Sequence, residues 1–418
     1  MHHYDIYPKV VEVNKEVEIN VRPLDGSKFT SEKYVIILTE MNNRHGSIML
    51  NISPDNGILK FAHTFQNEGA YSVTFENALL CVYALEADLH KCRPYIGDLH
   101  AHTSYKDGKE SPGVVAANYR KAGFDFLAIT EHHMYEPSVE AMEVFKDVPH
   151  DLYLLTGEEV HPPGLDYHII HFGGDFSINQ AFKDNPDTFQ REVDEIEKAL
   201  SLPDGIKNRS REYAMSMWVY NKIREANGCS VMVHPHWIQQ PGFYHKPSAF
   251  AMYEMKEKPF DAFELIGGNN LLDDKQGFQN QMQVSMWCQL REDGYFIPPV
   301  GSSDSHGTVN CDYNVFKLGK TMLFCEKLEK NSIIEAIRDN RSVALEQYHE
   351  GDAPHCYGKH RYAEFAMFLL SEFFPIHDEL CYEEGRLMKA CLCGDADAKS
   401  ILGALSGRTA GLFEKYWA

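Results

Sequence analysis

The residues able to do chemistry come in pairs at strand spacing. In residues 95–108, YIGDLHAHTSYKDG, His100 and His102 are two apart, and Asp107 follows in a turn closed by Gly108. Side chains two apart on an extended strand point to the same face, so both imidazoles can reach one ion. Near the other end of the chain, residues 301–306 read GSSDSH, and Asp304 and His306 are again two apart after an apolar run over 295–300. Imidazole and carboxylate donors of this kind make a coordination shell for a divalent cation. Two such pairs, each following an apolar run, predict strands that deliver ligands from their ends into one pocket, as barrels of parallel strands do.

The same pattern recurs between them. TEHH carries Glu131, His132 and His133; TGEEVH carries Glu158, Glu159 and His161; HIIHF offers His168 and His171; VMVHPH ends in His234 and His236; and Glu264 closes a further apolar run. A lone histidine at a strand end is more often structural than ligating. Seven predicted strand ends in chain order, nearly all bearing His, Asp or Glu, point instead to a site for several metal ions.

Three kinds of segment must hold these residues. Residues 1–90 alternate in polarity at 10–13 and 16–21. They carry β-branched or aromatic runs at 34–38 and 71–75, and Asp25-Gly26, Asp55-Asn56-Gly57 and Glu68-Gly69 punctuate them. Short strands so spaced predict a small antiparallel β-sandwich, structural or acting as a lid. From 91 to about 350, apolar runs at 124–130, 152–155, 168–170, 230–233, 260–266 and 321–324 alternate with helical patterns, which predicts an α/β domain around parallel strands. Ser111-Pro112 starts one helix, with proline at the first helical position. A helical insertion over 179–227 sits beside a strand end, where it can shape a substrate pocket. Residues 351–418 read as a helical cap on the barrel or a partner surface.

Composition sets outer bounds. The 418 residues are 44% hydrophobic and 24% charged, with a formal net charge of −21. Such a surface disfavours nucleic acid and anionic membrane, but not an anionic substrate, because bound cations reverse the local sign. The N-terminus has no basic-then-apolar leader pattern and no run approaches the roughly 20 apolar residues of a membrane span. The 10 cysteines form no dense framework and read as reduced thiols of a cytoplasmic protein. Cys381, Cys391 and Cys393 do not match a standard zinc spacing. No P-loop, G-x-G-x-x-G or G-x-S-x-G motif is present.

The motifs DLHAHTSYKDG, AITEHH, TGEEV, the His168 segment, VMVHPH and GSSDSH resemble those of the PHP (polymerase and histidinol phosphatase) metallohydrolase superfamily, over about 95–345. The β-rich segment before them is similar to the carbaryl-hydrolase-like (CehA/McbA-like) branch. The resemblance implies a distorted (β/α)7 TIM-like barrel with up to three metals at the C-terminal strand ends. It implies that His100, His102 and Asp304 hold one ion and that Glu159 bridges to a second, completed by His168 and His234. Asp107, His132 and His306 would hold the third. Glu159 is preferred to Glu158 because the family's glutamate stands two after the glycine, here Gly157. His171 competes with His168. Glu159, Asp304 and His236 are the residues expected to act in catalysis, and His133 and His236 are extra histidines able to orient ligands or touch substrate.

Such shells suit Mn²⁺, Fe²⁺ or Zn²⁺, two to three per chain. A water bridging two ions becomes the nucleophile near neutral pH, while the ions neutralise phosphoryl oxygens. The expected substrate is a small-molecule phosphomonoester or phosphodiester; a carboxyl ester, amide or carbamate is the alternative. Arg209, Arg211 and Lys106 are candidate phosphate contacts. Asn269 is a candidate substrate contact at the sixth strand end. Trp218, Trp237, Phe243 and Tyr244 are candidates for an apolar wall.

Overall fold

The computed structural model describes residues 3–43, 46–239, 242–268, 278–309, 315–348 and 351–418. The fold is mixed α/β and divides into two compact units. No helix among the described residues is long and apolar enough to cross a membrane.

The first unit comprises Met1–Arg93, Ala363–Leu380 and Gly407–Ala418. Its strands are β1 (Tyr4–Tyr7), β2 (Val10–Glu12), β3 (Glu16–Pro23), β4 (Tyr34–Glu40), β5 (Ser47–Ile52), β6 (Leu59–Thr64), β7 (Gly69–Phe75) and β8 (Ala78–Leu85). They form a three-stranded sheet ordered β1-β3-β6 and a five-stranded sheet ordered β2-β8-β7-β4-β5. Alternation does the work: every second residue of β7 is buried, and the inward side chains of both sheets, among them Ile19, Ile36, Phe61 and Val73, share one apolar cluster. One pairing departs from the antiparallel expectation, since β2 runs parallel to β8. These strands lie far apart in sequence, and no hairpin dictates their direction.

The second unit comprises Pro94–Tyr362 and Cys381–Ser406. The tail expected as one helical cap is helical, but its residues are shared between the two units. The unit's strands are β9 (Arg93–Asp98), β10 (Phe126–Ala128), β11 (Tyr153–Leu155), β12 (Gly157–Val160), β13 (Ile169–Phe172), β14 (Cys229–Met232), β15 (Ile238–Gln239), β16 (Phe243–Tyr244), β17 (Ala262–Gly267), β18 (Pro299–Ser302), β19 (Gly319–Cys325), β20 (Ser342–Glu346) and β21 (His355–Gly358). One sheet is ordered β11-β10-β9-β19-β20-β21 and another β12-β13-β14-β17-β18. Isolated parallel bridges, Ala101 with Ser305 and His132 with Glu159, join residues just beyond β9 and β10 to the second sheet. The predicted helix at 112 forms as Pro112–Lys121, and the insertion folds mainly into the helices Pro186–Ala199 and Ser210–Glu225.

The sequence pattern predicts parallel strands throughout, and the structure departs from this. β13 runs antiparallel to both β12 and β14. Residues 161–168 are too few for a crossover, so the chain must turn straight back. This reversal matters for the site, because it brings the start of β13 beside the ends of β12 and β14.

Candidate metal centre

The exits of β9 and β18 are fastened to one another. The buried Asp98 carboxylate accepts from the His100 N–H (3.0 Å), the Ser303 N–H (3.1 Å) and the Tyr119 hydroxyl (2.9 Å). Burial, only partly offset by these donors, raises its pKa to about 6. The backbone continues the tie, with Asp304 N–H donating to His100 O (2.8 Å) and His102 N–H to Ser305 O (2.9 Å). Asp304, His234 and His133 all hold left-handed backbone, at φ 51°, 27° and 62°. Each costs roughly 1–3 kcal/mol for a non-glycine residue, a strain that collects at functional positions.

Five of the residues expected to ligate, His100, His102, His132, His168 and His234, surround a sixth, Glu159, and Asp304, Asp107 and His306 join the cluster through His100, His102 and His132. The Glu159 carboxylate is fully buried. One oxygen lies 2.7 Å from His168 Nδ1, 3.4 Å from His234 Nε2 and 3.7 Å from His100 Nε2. The other lies 2.5 Å from His132 Nδ1, 3.4 Å from His161 Nε2 and 3.7 Å from His102 Nε2. Neither oxygen makes a hydrogen bond with proper geometry, and His100 Nε2 is likewise buried without one. Asp304 Oδ1 stands 3.0 Å from His102 Nε2 and 3.3 Å from His100 Nε2. Asp107 reaches His132 Nε2 at 3.6 Å and His306 Nε2 at 3.5 Å.

Sets of donors fall within 4.8 Å of one another: His100, His102 and Asp304; His100, Glu159 and His234; His168, His234 and His245; and His102, Asp107, His132 and His306. Ligand bonds of about 2.0–2.2 Å put two donors on one ion up to about 4.4 Å apart. The His100–Asp304, His100–Glu159 and Asp107–His306 separations of 3.3, 3.7 and 3.5 Å fall within that span, and the buried Glu159 oxygens and His100 Nε2, which lack hydrogen bonds, fit the same group.

The charges are strongly coupled. Burial works against the charged form of Glu159, but His168, His132 and His161 outweigh it and hold its pKa well below the carboxylate range. Burial opposes protonation of His132, yet Glu159 and Asp107 push its pKa up to about 11. At His168 burial wins over Glu159 and pulls the pKa down to about 3. A cation in this cluster would replace the protons that now balance the carboxylates.

A surrounding layer orients these rings. Glu264 accepts from His100 Nδ1 (2.9 Å) and from the His234 N–H (3.0 Å). Glu131 stands 3.3 Å from His102 Nδ1 and accepts from the Thr103 N–H. His161 packs between His133 and His168, with ring centroids 4.1 and 3.9 Å away. Glu131, His161 and Glu264 carry a sequence signal, being polar residues at strand ends. His245, whose Nδ1 lies 3.0 Å from His234 Nδ1, carries none, since it ends the β15–β16 hairpin rather than a core strand.

Other expected residues lie elsewhere. His171 pairs with the other glutamate, Nδ1 to Glu158 Oε1 at 3.0 Å, fully buried on the opposite face of β12 and β13. His236 Nδ1 is buried without a partner and its ring meets Tyr244 edge-on at 5.5 Å; burial lowers its pKa to about 4. His133 stands at the rim beside His161, with Lys183 donating to its carbonyl. Arg209 is held by Tyr167 and Glu212, and Arg211 by Asp194 and Glu197. Trp218 is core, donating to Glu192, whereas Trp237 stands 6.0 Å from the His234 ring and 6.3 Å from His168. Asn269 lies outside the described residues.

No family model matches the chain, and no curated protein matches it. Several solved structures are distantly similar to it. One is a two-domain protein of Bacteroides vulgatus containing a predicted PHP-like metal-dependent phosphoesterase. It is 16% identical over 67% of this chain and 71% of that one, at a TM-score of 0.46. Another, from Bifidobacterium adolescentis and described as a metal-dependent phosphoesterase, is 18% identical over 50% and 87%, at 0.34. An amidohydrolase from Chromobacterium violaceum is 17% identical over 51% and 88%, at 0.32. Likenesses this distant leave the chemistry to be read from the side chains of this chain.

Proposed function

We propose that the chain is a metal-dependent hydrolase of the PHP type, and that it cleaves a small-molecule phosphomonoester or phosphodiester. Glu159 carries the reading: a fully buried carboxylate, ringed by six imidazoles, with neither oxygen properly hydrogen-bonded. An isolated buried charge is very costly, and groups so placed are paired or hold metals. His100, His102 and Asp304 would hold one ion, His168 and His234 a second shared through Glu159, and Asp107, His132 and His306 a third. Ions of the Mn²⁺, Fe²⁺ or Zn²⁺ kind would lower the pKa of a coordinated water toward neutrality and neutralise charge on the attacked group. The chain's part is to fix the donors: Glu264 and Glu131 set the rings of His100 and His102, and His133 and His161 line the approach. The bridged ends of the two sheets read as a distorted seven-stranded barrel of β9, β10, β12, β13, β14, β17 and β18, with the first unit a β-sandwich of the carbaryl-hydrolase-like branch.

Hydrolysis of a carboxyl ester, amide or carbamate is the second reading, and one observation favours it. Arg209 and Arg211 are committed to carboxylates of the insertion, so neither is free to grip a phosphate. Metal analysis of the purified protein, with turnover of p-nitrophenyl phosphate, bis-p-nitrophenyl phosphate and p-nitrophenyl acetate with and without Mn²⁺, tests both. Two to three ions per chain with phosphate-ester turnover is expected. Acetate turnover alone selects the second reading, and a chain that binds no Mn²⁺, Fe²⁺ or Zn²⁺ overturns both.

A further inference from the structure

The loop between β14 and the helix Ser248–Glu257 closes on itself at a narrow neck. His245 N–H donates to Trp237 O (2.6 Å) and Lys246 N–H to Pro235 O (2.8 Å). Lys246, buried, pairs with Glu254 on that helix, and its Nζ lies 4.7 Å from the centre of the Tyr167 ring. The neck therefore holds His245 opposite His234 and within 4.5 Å of the His168 ring, centroid to centroid.

The hydrogen bonds at His245 leave one consistent proton arrangement for neutral rings. The Asp166 carbonyl, which can only accept, faces His245 Nε2, so Nε2 carries the proton. His245 Nδ1 is then a lone pair, 3.0 Å from His234 Nδ1, and His234 must donate through Nδ1–H. That leaves His234 Nε2 unprotonated, 3.4 Å from Glu159 Oε1. His100 and His102 face Glu159 and Asp304 through Nε2 in the same way, but their Nδ1 atoms meet carboxylates, Glu264 and Glu131.

We infer that His245 is a positioning residue, which selects the Nε2-ligating tautomer of His234 and links the loop bearing His168 to the loop bearing His234. This rests on the metal-site reading above. A partner of this kind fixes tautomer and ring orientation, and its loss costs about 10–100-fold in metal affinity. As a neutral imidazole, His245 makes His234 a weaker donor than a carboxylate partner would.

Calorimetric titration with Mn²⁺ of wild type, H245L and H245N tests the assignment. Leucine removes the acceptor, whereas the asparagine oxygen can stand near the position of Nδ1 and accept the same hydrogen bond; because a carbonyl oxygen also suits Mn²⁺, the nitrogen-15 spectra are what separate positioning from ligation. H245L is expected to weaken one class of bound ion by about 10–100-fold and leave the others unchanged, with H245N restoring affinity to within about threefold. Nitrogen-15 spectra of metal-free, histidine-labelled wild type should place the His234 proton on Nδ1, a readout that needs no variant to fold. Wild type that binds no Mn²⁺ overturns the metal-site reading and this inference together. Metal-binding wild type with H245L unaltered, with H245N as weak as H245L, or with His234 protonated on Nε2, overturns the inference alone.

Discussion

Glu158 and Glu159 are neighbours in sequence and face opposite sides of β12. Glu159 meets the imidazole cluster, while Glu158 pairs with His171 and accepts from Ser177, Ile178 and Asn179. The period of two says that one of each adjacent pair faces the site; which one depends on register, which spacing alone does not give. His168 and His171 divide the same way, so their alanine variants should fail differently. H168A is expected to lower turnover by at least about 100-fold, given that even an orienting partner is worth 10–100-fold, with little change in the melting of metal-free protein. H171A removes one partner of a fully buried hydrogen bond to Glu158 and opens space beside Gly174 and Gly228, which pack on its ring. It should cost about 3–5 kcal/mol in denaturant unfolding. Equal loss of stability in both variants would refute this division. D304A should abolish turnover and release metal together, as read by elemental analysis. The strand-end donors were legible because their types and spacing are themselves the chemistry. The engagement of Arg209 and Arg211 was not, because their carboxylate partners, among them Asp194 and Glu197, are chosen by how the insertion's helices pack.

At the scale of elements, the order of strands and helices could be read from apolar runs, but the direction of β13 could not, since periodicity carries no sign. The reversal places His168 at the start of its strand rather than at an end, level with the exits of β12 and β14. Gly157 is where this arrangement is most sensitive. A Cβ there would lie 2.9 Å from both the Ile129 carbonyl oxygen and Thr130 Cγ2, so β12 must shift away from the exit of β10. G157A is expected to destabilise the unit by about 1–3 kcal/mol, the range for overpacking, and to weaken Mn²⁺ binding by moving Glu159 away from His132. Unchanged Mn²⁺ affinity would mean that β12 yields without carrying Glu159 along. The insertion should be more forgiving. Arg211 lies in a half-exposed ion-pair network with Asp194 and Glu197, and such pairs contribute roughly 0–1 kcal/mol. R211A should alter both stability and phosphate turnover only slightly. A tenfold loss of phosphate turnover with acetate turnover intact would show that the guanidinium reaches substrate after all.

On the scale of the whole molecule, the metal-capable residues of the cluster all belong to the second unit, between His100 and His306. A chain of net charge −21 gains by binding cations there, because the ions offset carboxylates that burial has taken out of water. Ligand that binds only the folded state stabilises it by about 2.7 kcal/mol at a hundredfold excess over Kd. That stabilisation should be localised. Hydrogen exchange read by mass spectrometry, with Mn²⁺ and after its removal by a chelator, should show slowed exchange in peptides covering 98–107, 130–134, 157–169, 233–246 and 301–307. Peptides from β1–β8 should exchange alike in both conditions, since none of their side chains enters the cluster. The 233–246 peptide is the most informative of these. It carries both His234 and His245 and no core strand, so its protection reports the donor cluster rather than a general tightening of the sheets. Protection spread evenly across both units would mean that metal acts on the fold as a whole, and the local account of the site given by Glu159 and its six imidazoles would fail with it.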